Sequence, residues 1–131
     1  MASRDDVKAM IDAIEEGYEF FLAYAAQGLT TDQGSKSSGQ LRDFLGRAEG
    51  GLAGLPSALR EVVEREGLEP SGPWQDALDT LDADAKATLA SVRLVAARDS
   101  ISSQLIDNLN ANVHFRALLT DLFLLDDLIG G

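Results

Sequence analysis

Apolar residues recur at steps of three and four along almost the whole chain, and that spacing predicts helices. The clearest run is the last third, Ser100 to Ile129, reading SISSQLIDNLNANVHFRALLTDLFLLDDLI. Leu105, Leu109 and Val113 share one face, and Leu118, Leu122, Leu125 and Ile129 continue it. Toward the end the apolar coverage spreads to Leu119, Phe123, Leu124 and Leu128. A helix that apolar around its circumference is buried on several sides or covered by another subunit.

Three further helices precede it. Ser3-Arg4-Asp5-Asp6 reads as a capping-box start, with acids in the first turn where the helix dipole favours them. Val7, Met10, Ile11, Ile14, Tyr18 and Phe21 then carry an amphipathic helix to Gln27, stopped by Gly28. A second helix begins near Gln40 with Leu41, Phe44, Leu45, Ala48, Leu52 and Leu55 as its stripe. Pro56 predicts a break or kink just before it, because proline loses a hydrogen bond and crowds the preceding turn. Gly46, Gly50, Gly51 and Gly54 fit either tight helix packing or a weak helix. The third helix runs from Trp74 to Val95, with Leu94 in its apolar set. Its acids Asp76, Asp79, Asp82 and Asp84 read as a solvated face, with a helix start near Asp82 or Asp84. A turn near Arg98-Asp99-Ser100, capped by Asp99 or Ser100, separates it from the last helix, although a continuous helix also fits.

These segments predict an all-α, four-helix bundle in a single domain, since no stretch alternates at period two. The polar stretch GLTTDQGSKSSG, Gly28 to Gly39, is long enough to be mobile or to cross one end of that bundle.

Composition narrows the function classes. The 131 residues hold 45% hydrophobic and 25% charged residues, the balance of an ordinary globular domain. No window is long and apolar enough to span a bilayer, and the first residues lack a secretory pattern, so the expected location is the cytoplasm. The net charge of −11 argues against nucleic acid and anionic membranes and leaves a basic partner protein open. Without cysteine there is no disulfide, thiol nucleophile or thiolate metal site.

Candidate chemistry gathers around the only histidine, His114. On a continuous helix Asp107, Asn110, His114 and Asp121 share a stripe, flanked by Asn108 and Asn112. Such a polar patch fits a buried network at an interface, a solvated face, or a metal or small-ligand site. Carboxylates for a metal would come from Asp12, Glu15, Glu16 and Glu19 on the first helix and Glu49 on the second. The Glu-x-x-His pairs of a di-iron bundle are missing, because Glu49 is followed at three by Leu52 and His114 is preceded at three by Ala111. Serine-nucleophile and phosphate-loop motifs are absent as well.

The run Glu15-Glu16-Gly17-Tyr18-Glu19-Phe20-Phe21 resembles the opening helix of ferritin-like proteins of the bacterioferritin and rubrerythrin group. Ile106 to His114 resembles their closing, histidine-bearing helix. The resemblance implies an up-down bundle with one long crossover and symmetric oligomers. It also implies a possible iron site, for which Glu15 or Glu19, Glu49 and His114 fall near family ligand positions. The expectation is therefore a homo-oligomer assembled through the C-terminal helix, structural or interaction-based in role. The alternative is an iron-binding oxidoreductase whose site is completed between subunits.

Overall fold

The computed structural model describes residues 2–34 and 38–130. They are all-helical, without a strand: α1 Arg4–Ala25, α2 Ser38–Glu66, α3 Ser71–Ala96, α4 Ser103–Ala111 and α5 Val113–Gly130. The capping box forms as expected. Asp6 N–H donates to Ser3 Oγ at 3.1 Å, and Ser3 N–H donates back to Asp6 Oδ2 at 2.9 Å. Those bonds, the backbone one foremost, hold the Asp6 carboxyl below its ordinary value. α1 ends at Ala25, two residues before the expected Gln27, and Gly28 takes the left-handed φ of +67° that turns the chain away.

α2 corrects the expected break, since a single helix runs through Pro56. Leu52 and Leu55 before the proline and Leu59 and Val62 after it are all fully buried on one face. Keeping that face in register on both sides outweighs the lost bond of about 3 kcal/mol. The glycines divide into two kinds. A Cβ on Gly51 would stand 3.0 Å from the Met10 carbonyl oxygen, and one on Gly54 would stand 3.2 Å from Met10 Cε. Gly46 and Gly50 face open space. α1 and α2 thus touch most closely at Gly51, and the other two glycines merely weaken the helix.

α3 begins at Ser71, ahead of Trp74, and no helix starts at Asp82 or Asp84. Leu78, Leu81, Ala85, Thr88 and Val92 form one uninterrupted buried face through that point. Its acids find cations: Asp82 pairs with Lys86 at 3.0 Å, one turn on, and Asp79 pairs with Arg60 of α2 at 2.9 Å. Leu94 departs from its expected place in the core and is 72% exposed.

The expected turn after α3 is present, but its cap is Ser102, whose Oγ accepts from Leu105 N–H. Beyond it the single long helix does not occur. At Asn112 the backbone opens to φ −59°, ψ 127°. The Asn112 side chain accepts from His114 N–H at 2.9 Å, and its carbonyl accepts from Arg116 N–H. Asn112 is thus the N-cap of α5, a position asparagine fills well.

α1 to α4 alternate in direction, and α5 continues in the direction of α4. α1 and α2 run past each other from Arg4–Glu66 to Glu16–Arg47. α2 and α3 do so from Arg60–Asp79 to Glu49–Arg93. α4 and α5 return along α1, from Tyr24 on Ile101 to Arg4 on Ile129. The α2–α3 and α3–α4 links are short, residues 67–70 and 97–102. The core runs through all five helices, with Phe21, Tyr24, Leu52, Leu81, Val92 and Phe115 among its buried members.

The described part of the α1–α2 link is clamped over one end of the helices. Asp32, 2% exposed, accepts from Ile101 N–H at 2.8 Å and from Arg42 Nε at 3.1 Å. Arg42 also donates to the carbonyls of Ala96 and Arg98. Burial alone would raise the Asp32 carboxyl, but the Ile101 and Arg42 hydrogen bonds win and hold it below its ordinary value.

Candidate functional site

The expected metal ligands lie on three helices: Glu15 and Glu19 one turn apart on α1, Glu49 on α2 and His114 at the start of α5. Glu49 of α2 binds the Arg93 guanidinium of α3 at 3.0 Å. Glu19 is exposed on α1, and His114 is exposed in the first turn of α5. Glu15 is half-buried, and burial foremost, then the charges of Asp126, Asp12 and Glu19, push its carboxyl above the ordinary value. Among the described residues no group of three or more histidines or carboxylates is placed to hold a metal.

The polar stripe expected around His114 is dispersed by the break at Asn112. Asp107 and His114 are exposed, whereas Asn110 is 6% exposed and neither atom of its amide has a hydrogen-bond partner. Asp121 of α5 is influenced by Asp84 of α3. Burial foremost, and then Asp84, pushes the Asp121 carboxyl up to about 7. Asp121 Oδ2 is buried and has no hydrogen-bond partner, so ionising it there is costly.

The most distinctive surface lies on the outer side of α5. Phe115, Leu118, Leu119, Leu122 and Leu125 fill the core, while Val113, Phe123, Leu124 and Leu128 are 56–69% exposed. Leu122 is therefore an internal residue. Val113, half-buried Ala117, Leu124 and Leu128 follow one another at steps of four, seven and four. At 3.6 residues per turn those positions stay within about 60° of the helix circumference. Beside Leu124 and Leu128 lies an apolar groove closed by Leu68, Pro70, Pro73 and Trp74 from the α2–α3 link and the start of α3. One flank of the stripe carries Arg116, Phe123 and Asp127 at steps of seven and four. Neither Arg116 nor Asp127 is in an ion pair among the described residues, and the same holds for the cations Lys8, Arg65 and Arg98.

No protein-family model, no curated protein and no solved structure matches the chain. What it does has to be read from its own surface. No described helix is long and apolar enough to cross a membrane, so the outer α5 stripe is not part of a spanning segment.

Proposed function

We propose that this chain is a helical interaction protein that self-associates through the outer face of α5. One observation carries the reading: Val113, Leu124 and Leu128 stand in solvent on one side of α5, in line with half-buried Ala117, although α5 already has a complete core face. Scattered exposed leucines are ordinary, whereas apolar residues aligned along one helix beside an apolar groove mark an interaction surface. The partner is a second copy, because the same flank holds one unpaired cation and one unpaired anion, Arg116 and Asp127, near opposite ends of the helix. The ferritin-like resemblance of α1 and of the fourth helical stretch supports the same reading, since it implies symmetric oligomers.

Leu124→Asp tests it. The expected outcome is a monomer with unchanged helical content, because Leu124 is 61% exposed and contributes little to the core. Association unaltered in that variant would sink the reading. Leu122→Asp is the contrasting control, since it puts a charge at a site with no exposure and is expected to unfold the chain.

A further inference from the structure

The stripe on α5 reads the same from both ends. A two-fold axis crossing the helix between Thr120 and Asp121 exchanges Val113 with Leu128 and Ala117 with Leu124. Two copies laid antiparallel across that axis put a smaller apolar side chain opposite a leucine at each of the four contacts. Such an isologous arrangement uses one patch twice and closes on itself.

Charge fixes the choice between antiparallel and parallel. A two-fold axis perpendicular to both helices keeps each flank on its own side, so the Arg116–Phe123–Asp127 edge meets its own copy reversed. Arg116 then lies beside Asp127 of the second copy, and Asp127 beside the second Arg116. At 1.5 Å rise per residue the two differ in height by about 3 Å, well within side-chain reach. A parallel pair, whose two-fold axis runs along the helices, would instead turn this edge against the opposite flank, so Arg116 and Asp127 would not meet. The opposite flank adds no competing pair: it holds exposed His114 and half-buried Asp121, which is influenced by Asp84 of α3.

Resting on the self-association reading, we infer that α5 forms a two-fold antiparallel dimer. Val113 meets Leu128 of the second copy beside the Trp74 groove, and two reciprocal Arg116–Asp127 pairs set the register. α5 has 18 residues and is about 27 Å long, which makes this contact smaller than the roughly 1,200–2,000 Å² of a stable complex. The dimer is accordingly a weak, concentration-dependent one.

Charge reversal tests the register. Arg116→Asp and Asp127→Arg, each alone, should weaken self-association about tenfold or more, since each turns two attractive pairs into two repulsive ones. An equimolar mixture of the two variants should associate about as well as the original chain, because every cross-pair is again opposite in sign. The double variant should recover likewise. Both positions are exposed, so circular dichroism should show no loss of helix. A second readout uses the absence of cysteine. Val113→Cys chains mixed with Leu128→Cys chains should form a disulfide between unlike chains on oxidation, and neither should dimerise alone. If Leu124→Asp abolishes association while charge reversal has no effect, or Val113→Cys links to itself, the antiparallel register is overturned and the self-association reading stands. If the unaltered chain stays monomeric at all concentrations, both fall.

Discussion

Asn110 is buried with both amide atoms unpaired, and an unmade hydrogen bond there costs about 1–3 kcal/mol. Asn110→Leu, branched alike and a better helix former, should raise the unfolding free energy by about 1 kcal/mol, measured by chemical denaturation. A loss of stability would show that the amide is bonded within the fold. The Asp84–Asp121 pair gives a pH dependence whose sign follows from the direction of the shift. Asp121 titrates near 7 in the fold, above its ordinary 3.8. The stability it contributes is therefore fully present below about 4 and lost as pH rises through about 7. Glu15 is shifted in the same direction. The thermal midpoint should fall between pH 5 and pH 8, and Asp121→Asn should flatten that fall. An Asp121→Asn profile as steep as the original would remove the pair as its cause.

At the scale of elements, α2 supports a paired prediction on adjacent residues. Gly50→Ala adds a methyl group in open space and should stabilise the helix by about 0.5–1 kcal/mol. Gly51→Ala places its methyl 3.0 Å from the Met10 carbonyl oxygen and should destabilise, because backbone cannot yield as a flexible side chain does. Equal effects at the two positions would contradict the close approach of α1 and α2. The positions of the helices were legible in the sequence, because an apolar stripe at period 3.6 is a local signal. The capping box at Ser3 was legible for the same reason. Local signals also misled. Pro56 announced a break that burial on both sides of it overrode, and the acids near Asp82 suggested a helix start where α3 continues. The break at Asn112 carried a usable sign, an asparagine ahead of Val113-His114-Phe115, but the apolar spacing on both sides hid it.

For the whole molecule, the antiparallel order of the helices depends on link lengths and on ion pairs distant in sequence, such as Arg4–Glu66, so no local pattern revealed it. The clamp of Asp32 on Ile101 and Arg42 was invisible for the same reason. The candidate site was half legible. Its helix and its apolar excess could be read directly, but Leu122 could not be told from Leu124 before the core face was known. Glu15, Glu19, Glu49 and His114 do not form a group of three or more metal-binding side chains among the described residues. The central claim concerns the outer face of α5, and the mass of the unaltered chain in solution tests it most directly. Sedimentation across the micromolar range should give a mass that rises reversibly from 14.0 kDa toward twice that value. A mass fixed at 14.0 kDa up to the highest concentration reached would contradict the account.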